Sequence, residues 1–496
     1  MPSLLKVNFF LKELCRNLFL FIYSWLMITS MLLLSGCSSV MPENKTTDIN
    51  SRIVKQWHAP LPHNGQLIEM NKWWDQFEDP LLLQLIGTAQ LASPTLAQAT
   101  MNIADARATV VSRKATLLPS LDATTSASRD HSDLSIPPIK VSAVGLQASW
   151  ELDIFGVNRA AADASLAKLA SSQAHWHDAR ISVAAEVATT YTAFRACEAQ
   201  AQQYQLDAES RLNTSQLTSL AVKAGFRPQA AADLARASAA QGKMLLTQQQ
   251  AQCDLLIKAL TALTAQDEST LRRELAASSA VLPQAATLTV LAVPADVITQ
   301  RPDIYAAARD VLAASAESSQ AQAQRWPRIT LSGNISASQI ETGGISTDGT
   351  SWSIGPVAIT LPLFDGGSRR ANIDAAQTRY DTATTLYAAR LREAIQEVET
   401  ALVTLQSTAT SSIAAHAAVE GFELSFQATE SSYRAGIASL FELEDARRNM
   451  ISAKITTIEL QRERVATWIA LYRAVGGGWS STASIPPAHS SAIAPY

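Results

Sequence analysis

The strongest constraint on the fold of this 496-residue chain is an internal duplication. Glu186-Val187-Ala188-Thr189 recurs as Glu397-Val398-Glu399-Thr400, and Ala224-Gly225 recurs as Ala435-Gly436, both at an offset of 211 positions. Three more matches keep the same order at nearly the same offset: Leu118-Pro119 with Trp326-Pro327, Leu152 to Gly156 with Leu361 to Asp365, and Ala235-Arg236 with Ala446-Arg447. The chain is therefore predicted to contain two copies of one folding unit.

Each half is predicted to contain a helical segment followed by two strands. The helical segments, 81–116 and 302–325, are rich in Ala and Gln, and each is followed by a proline, which cannot continue a helix. Period-two alternation marks the strands, which are predicted at 120–128, 141–152, 329–339 and 351–363. The polar stretches between them, 129–140 and 340–350, are predicted to be the surface loops of two hairpins.

A very long helix is predicted after the second strand of each half. Proline is absent from 156–227 and from 367–476, and each span contains one expected break, at Gly225 and at Gly436. A helix from Asn158 to Gly225 would be about 100 Å long at 1.5 Å per residue. The predicted N-caps are Asn158 and Ser368. A globular core does not need such a rod, whereas a structure that crosses a wide compartment does.

Four strands per chain constrain the assembly. Strands of roughly nine to twelve residues match the thickness of a bilayer, but four strands cannot close a barrel, and an open sheet edge is not tolerated in lipid. We therefore expect several chains to share one barrel, which makes the protein an α+β membrane protein. The alternative is a small soluble sheet capped by helices.

The N-terminus has the pattern of a secretory signal. Lys6, Lys12 and Arg16 precede an uncharged apolar run, 18–34, which ends in Leu34-Ser35-Gly36-Cys37. This ending resembles a bacterial lipobox, so residues 1–36 are predicted to be a signal peptide and Cys37 the lipid-attachment residue of an acylated N-terminal segment, 37–72. Ser38 after the cysteine implies an outer-membrane address. The alternative is a permanent transmembrane anchor, for which the run is barely long enough.

Composition and motifs exclude several functional classes. A net charge of −4 gives no reason to expect a nucleic-acid partner. The sequence contains no P-loop, no G-x-S-x-G motif and no cluster of Cys and His ligands, so neither an enzyme nor a cofactor or metal site is expected. His175 and His177 form the nearest approach to a metal pair, but at i, i+2 on a helix their rings point apart.

Several motifs together resemble a known family. They are Trp73-Trp74 with Phe77 and Asp79-Pro80, Glu151 to Gly156, Arg301-Pro302-Asp303-Ile304, Leu361 to Gly367, and Leu471 to Trp479. In this order they resemble TolC-like outer-membrane factors, specifically the NodT-type branch of outer-membrane efflux lipoproteins. The resemblance covers Trp73 to Trp479, with a first repeat at 73–280 and a second at 281–479. Residues 480–496 are rich in Ser, Ala and Pro and are predicted to be a disordered tail.

The resemblance implies a homotrimeric exit duct. Each protomer would give four strands to a shared 12-stranded β-barrel in the outer membrane and long antiparallel helices to a periplasmic α-barrel. The duct would passively pass drugs or other small molecules, and it would dock on a periplasmic adaptor and an inner-membrane pump, often of the resistance-nodulation-division type. Energy would come from the pump, so the family implies no cofactor in this chain.

The same resemblance assigns roles to the two helical tips. Ala224 and Gly225 in the first half, and Ala435 and Gly436 in the second, would form the tips on which the adaptor docks. In the second half, Tyr433, Glu442 and Asp445 match family positions at the periplasmic aperture, where three protomers would form rings of carboxylates. Without the family, Glu442 and Asp445 would be an ordinary solvated helix face.

Two cysteines are placed symmetrically about the first tip. Cys197 and Cys253 each lie 28 residues from Gly225, so an antiparallel hairpin that turns there would bring them together. Because the periplasm is oxidising, we expect a disulfide, and the alternative is a pair of buried free thiols.

A second class of function is also compatible with these patterns. A structural or receptor-type outer-membrane lipoprotein without transport would use the loops at 129–140 and 340–350 for docking. Such a protein would not need an adaptor-binding tip.

Overall fold

The computed structural model describes residues 57–59, 70–131, 137–283, 298 and 300–480. All of them lie in one compact unit, Lys45–Tyr496. After a 3₁₀ helix at Met70–Phe77, the elements in chain order are α1 Pro80–Ala92, α2 Pro94–Ala115, β1 Ser120–Asp130, β2 Ile139–Leu152, α3 Val157–Lys223, α4 Gln229–Thr264, α5 Glu268–Ala276, α6 Pro302–Ala323, β3 Arg328–Thr342, β4 Ile345–Thr360, α7 Ser368–Arg434 and α8 Leu440–Ala474. The predicted signal peptide, Cys37 and the predicted tail beyond Ser480 lie outside the described residues.

The four strands form one antiparallel sheet in the order β1-β2-β3-β4. All four predicted strands are confirmed, but β3 and β4 are longer than expected. They are separated only by Gly343 and Gly344, so the predicted surface loop at 340–350 is wrong. Its Ser, Thr and Asp residues belong to the strands, because a polar side chain does not prevent backbone pairing.

The two faces of the sheet differ in polarity. Ala123, Leu146, Ile335 and Trp352 pair across the four strands and so share one face. The next row, on the other face, is Asp122, Gln147, Asn334 and Ser353. On the apolar face Ile335 is 50% exposed and Trp352 is 72% exposed. One apolar and one polar face is the pattern of strands that have lipid on one side and water on the other.

The helices α3 and α7 confirm the predicted rods. Each has 67 residues, which corresponds to about 100 Å. Each ends at a glycine with a positive φ of 79°, Gly225 after α3 and Gly436 after α7. A residue with a side chain is strained in this left-handed conformation, so glycine is the residue that ends a helix here and lets the chain turn back.

The helix starts differ from the prediction. Neither Asn158 nor Ser368 is the N-cap, because Gly156 and Gly367 occupy that position in a left-handed conformation. Two aspartates from the preceding turns accept the free backbone N–H groups instead. Asp153 accepts from Asn158 at 3.0 Å and from Arg159 at 2.8 Å, and Asp365 accepts from Gly367 and Arg369, both at 3.0 Å.

The predicted helix at 81–116 is two helices. Ser93 separates α1 from α2 in an extended conformation, and its side chain accepts from the N–H of Leu96. Pro94 follows at the first position of α2, where its missing N–H has no consequence. Both α1 and α2 pack against α3.

One core joins the two halves of the chain. Trp73 is 1% exposed and stacks on Tyr472 of α8, with ring centroids 4.4 Å apart. Asp79 caps α1 and accepts a 2.6 Å hydrogen bond from the hydroxyl of Tyr191 on α3. Within the described residues, no helix combines the length and apolar character needed to cross a membrane.

Candidate functional site

The candidate site is the region where the two long helical hairpins turn, at the end of α3 and at the end of α7. The predicted docking residues Ala224 and Gly225, and Ala435 and Gly436, all lie in these turns and are exposed. The residue after each glycine is a large apolar one. Phe226 and Ile437 are each 83% exposed, so both tips present an apolar side chain to solvent.

Tyr433 lies at the contact between the two hairpins. Its hydroxyl shares a 2.8 Å hydrogen bond with the hydroxyl of Thr218 on α3. The guanidinium of Arg227, in the first tip, lies 4.4 Å from the centroid of the Tyr433 ring. Tyr433 is only 9% exposed. Both contacts hold the end of α7 against the first hairpin.

Glu442 has a structural role that the sequence did not predict. Its carboxylate accepts from the backbone N–H of Ser439 at 2.6 Å, while the Ser439 hydroxyl accepts from the N–H of Glu442 at 3.2 Å. This reciprocal capping box begins α8. The backbone N–H of Ser439 lowers the pKa of Glu442 below its usual value. The carboxylate is therefore charged at neutral pH and remains on the surface.

Asp445 lies one turn further along α8. It forms an ion pair with Arg448 and accepts a 3.3 Å hydrogen bond from the amide of Asn449. Its side chain remains 46% exposed. Glu442 and Asp445 are three residues apart on one helix and both reach solvent, so each could contribute to a ring of carboxylates in an assembly.

A buried ionic cluster behind this surface was not predicted from the sequence. Glu444 of α8 accepts from Arg211 of α3 at 3.0 Å and from Ser238 of α4 at 2.7 Å, and it also pairs with Arg447 of its own helix. Arg211 donates in addition to Asp207 at 2.8 Å. The cluster contains two cations and two carboxylates, so its charges balance.

The ionic cluster is deeply enclosed. Arg447 is 1% exposed and Asp207 is 3% exposed, and burial raises the pKa of the Asp207 carboxyl above its usual value. Gly242 of α4 leaves room for the Arg211 side chain, because a Cβ at that position would lie 2.8 Å from Cδ of Arg211. The sequence offered no signal for this cluster, since both helices contain several other arginines.

The first hairpin is also covalently closed. Cys197 of α3 and Cys253 of α4 form a disulfide with a Cα–Cα distance of 5.5 Å. The Gln249 side chain donates to the carbonyl of Cys197 at 3.4 Å and to the Gln200 side chain at 2.8 Å. α3 and α4 are therefore held together both covalently and by polar contacts, roughly midway along the hairpin.

Nowhere in the described parts of the chain do three or more His, Cys, Asp or Glu side chains come together as a metal site requires. His177, one of the two histidines considered above, is 4% exposed. Burial lowers its pKa to about 4. It packs near Trp479, with ring centroids 5.9 Å apart.

Comparison with known proteins identifies the family. Residues 85–266 and 293–477 each match the model of the outer membrane efflux protein family. The chain belongs to this family. The two separate matches cover most of the chain and correspond to its two halves.

Individual relatives agree with this assignment. The chain is 30% identical to a nodulation protein T of Rhizobium leguminosarum bv. trifolii, over 91% of this chain and 97% of the relative. It is 27% identical to the solvent efflux pump outer membrane protein SrpC of Pseudomonas putida, with the same coverage. The solved structure of the outer-membrane channel OprN is similar with a TM-score of 0.79 at 25% identity, covering 89% of this chain and 99% of that one.

Family membership fixes the general role and location. The protein is an outer-membrane exit duct of an efflux system, with its helices in the periplasm. Proteins of this family form trimers and work with adaptors and inner-membrane pumps, and the family is one of channels rather than enzymes.

Proposed function

We propose that the chain is the lipid-anchored exit duct of a tripartite pump, which passes drugs or other small organic molecules from a periplasmic adaptor and a resistance-nodulation-division-type pump to the exterior. The observation that carries this proposal is the pair of hairpins whose 67-residue first helices lead from the sheet to exposed apolar tips. The name of one relative, a solvent efflux protein, supports small apolar cargo. No sequence motif favours a catalytic step.

The acidic face at the start of α8 is proposed to line the periplasmic aperture. Glu442 and Asp445 both reach solvent, and the pKa of Glu442 is lowered, so three protomers would place six carboxylates around the opening. A ring of carboxylates attracts cations and repels anions. We therefore expect the resting channel to prefer cations.

Conductance in planar bilayers tests the aperture, and the capping box dictates the variants. Glu442→Gln with Asp445→Asn keeps the cap, because glutamine also closes a capping box, and it should abolish cation preference with little change in conductance. Glu442→Ala with Asp445→Ala also shortens the side chains and removes the carboxylate half of the capping box, so it should raise the conductance of the resting channel. Unchanged selectivity in the first variant and unchanged conductance in the second would overturn the assignment.

The tips are proposed to dock the adaptor. Ala224 and Ala435 are exposed and small, so they leave room for a partner helix. Ala224→Trp with Ala435→Trp should prevent cross-linking to the adaptor and leave conductance in bilayers unchanged. Ala417→Trp, at an exposed position on α7 away from the tip, is the matched control. Equal cross-linking in both variants would show that the adaptor does not dock on the tips, and no cross-linking even in the unmodified protein would favour a receptor-type protein without an adaptor.

The alternative of a receptor-type lipoprotein also loses a structural basis. One of its two expected docking loops, 340–350, is a two-residue turn between paired strands. The other expected loop lies at the same end of the sheet, where β1 ends at Asp130 and β2 begins at Ile139.

We also propose 73–280 and 281–479 as the two repeats, because each contains one of the two family matches.

Acylation at Cys37 is supported by chain length. The backbone N–H groups of His58 and Ala59 donate to the carboxylate of Glu399 at 2.7 and 2.9 Å. Glu399 lies 31 residues after Ser368, about 47 Å along α7 from its start. The 20 residues from Cys37 to Trp57 can span roughly 70 Å, which is enough to return to the membrane. Mass spectrometry should find acyl chains on Cys37, and an unmodified Cys37 would contradict the anchor.

A further inference from the structure

All four junctions between helices and strands lie at one end of the sheet. The register pairs Ser120 with Ser149, Leu152 with Ile329, and Arg328 with Thr360, so the start of β1, the end of β2, the start of β3 and the end of β4 are neighbours. We call the segments at these junctions the collar, and it comprises residues 113–119, 151–159, 325–328 and 361–370.

The collar is strongly basic, whereas the opposite end of the sheet is acidic. The collar contains seven Lys or Arg residues and three Asp or Glu residues, an excess of four positive charges per chain. The connections at the other end, 129–140 and 341–348, contain two basic and four acidic residues, an excess of two negative charges. The charge difference therefore runs along the strands from one end of the sheet to the other.

Part of this positive charge has no acidic partner among the residues that the structure describes. Arg159 pairs with Asp153, and Arg369 pairs with Asp365 at 2.8 Å, so these two only hold the helix starts. Arg328 lies 4.0 Å from Glu151. Four exposed basic side chains form no ion pair with another described residue: Arg113, Lys114, Arg325 and Arg370.

Large apolar side chains accompany these cations. Leu118, Trp326, Leu363 and Phe364 are 66%, 60%, 88% and 92% exposed. The ring of Trp326 stacks on Phe155, with centroids 5.6 Å apart, which holds the tryptophan at the junction of β2 and β3. Such side chains are costly in water but stable at a membrane surface, where aromatic residues mark the level of the headgroups.

We propose that the collar binds the phosphate groups of anionic phospholipids in the membrane leaflet that faces the helices. Cations that pair with no described carboxylate, next to exposed aromatic and aliphatic side chains and just below an apolar sheet face, match a lipid with a negative headgroup and acyl chains. The proposal rests on the proposed function only in that the sheet lies in the outer membrane. It adds a lipid partner that would fix how deeply the sheet inserts.

Charge complementarity favours this leaflet over the other one. The phosphate groups of lipid A would face the end of the sheet with an excess of negative charge, which repels them unless divalent cations intervene. Phospholipids on the helical side would meet the excess of positive charge. The retained lipid should therefore be an anionic phospholipid.

The test uses the full-length acylated protein in nanodiscs of phosphatidylethanolamine with phosphatidylglycerol. Native mass spectrometry then counts the phosphatidylglycerol molecules that each trimer retains. The collar variant carries Arg113→Gln, Lys114→Gln, Arg325→Gln and Arg370→Gln. Since each basic residue near an anionic surface strengthens binding roughly fivefold, its retention should fall at least about tenfold.

A matched control removes the same charge elsewhere. Four exposed basic residues on the helices, away from the sheet, also form no ion pair with described residues: Lys223, Lys243, Arg392 and Arg464. Their replacement by Gln should leave retention unchanged. Conductance in bilayers is measured for both variants, so that loss of the lipid site is distinguished from loss of the duct.

Two outcomes would overturn the proposal. One is equal retention of phosphatidylglycerol in the collar variant and the control. The other is preferential retention of lipid A over phosphatidylglycerol in mixed nanodiscs. If the collar variant does not assemble, the two pairs Arg113→Gln with Lys114→Gln and Arg325→Gln with Arg370→Gln are tested separately, and each should retain less phosphatidylglycerol than the control variant.

Discussion

The two hairpins have the same length but different surroundings. Their first helices, α3 and α7, each have 67 residues and end at a glycine with the same φ. Yet α3 has 25 buried residues and α7 has 11. α3 packs against α1, α2, α4, α6 and α8, whereas α7 packs mainly against α6 and α8. Within one protomer, the first hairpin is therefore more extensively packed than the second.

The contacts between the hairpins near the tips are both polar and apolar. The polar ones include the hydrogen bond between the hydroxyls of Thr218 and Tyr433, the ring contact of Arg227 with Tyr433, and the ionic cluster around Glu444. The apolar ones join Ala235 of the first hairpin to Leu440 and Leu443 of the second. If the aperture opens by movement of the second hairpin, these contacts have to break. Local opening of α8, measured by native-state hydrogen exchange, therefore reports how firmly the two hairpins are joined.

The largest effect is expected from Glu444→Leu. This change leaves Arg211 and Arg447 with only Asp207 as a counter-charge, and an uncompensated buried charge costs about 3–5 kcal/mol. The free energy of local opening at the start of α8 should fall by this amount, with little change in α3 near the disulfide. Hydrogen exchange of the backbone amides in both regions is the measurement.

The double variant Glu444→Leu with Arg447→Leu is the control. It leaves Asp207 and Arg211 as a balanced pair, and replacement of a buried ion pair by apolar residues is often close to neutral. Most of the lost stability should therefore return. If the double variant opens as readily as the single one, the cost comes from packing and not from the unpaired charge.

The two long helices and the turns that end them could be predicted from the sequence, but the ionic cluster could not. Two local signals predicted the positions of both long helices: the absence of proline along each helix, and the glycine at which each one ends. Glu444 lies between two acidic residues, Glu442 and Asp445, that the family pattern marks. Its partner Arg211 is 233 residues away, so no spacing on α8 could show which carboxylate turns inward.

The same reasoning explains the errors at the strands and helix starts. The helix caps come from Asp153 and Asp365, which lie outside the helices, so the first helical residues do not reveal them. The polar residues at 340–350 were predicted to form a loop, because a polar composition indicates solvent exposure but does not show whether the backbone pairs with another strand. The pairing of Cys197 with Cys253 was predicted correctly, because residues at equal distances from the turn of an antiparallel hairpin lie opposite each other.

The second prediction removes the disulfide from the first hairpin. Cys197→Ala with Cys253→Ala should lower the stability of the first hairpin by about 2–4 kcal/mol, and hydrogen exchange in the middle of α3 and α4 should become faster. The second hairpin should keep its exchange rates, since it contains neither cysteine. Equal acceleration in both hairpins would show that the disulfide stabilises the whole protomer.

The third prediction compares one glycine from each hairpin. Gly242→Ala places a Cβ 2.8 Å from Cδ of Arg211, whose guanidinium is held in the ionic cluster, so overpacking should cost about 1–3 kcal/mol. Gly421 on α7 has no atom within 4 Å of such a Cβ, so Gly421→Ala should stabilise by about 0.5–1 kcal/mol through helix propensity. A lower free energy of local opening in Gly242→Ala and a higher one in Gly421→Ala would support this difference between the hairpins. A destabilising Gly421→Ala would contradict it.

The smallest effect is expected from Tyr433→Phe. The change removes only the hydroxyl that bonds to Thr218 and leaves the ring against Arg227, so the loss should be about 0.5–1.5 kcal/mol. Because Thr218 also donates to the carbonyl of Thr214 at 2.7 Å, its hydroxyl is not left without a partner, and the loss should lie at the lower end. Thr218→Val in the Tyr433→Phe background should then add little. A large additional loss would mean that Thr218 stabilises the tip through other contacts, and that the hairpins are joined there by more than one hydrogen bond.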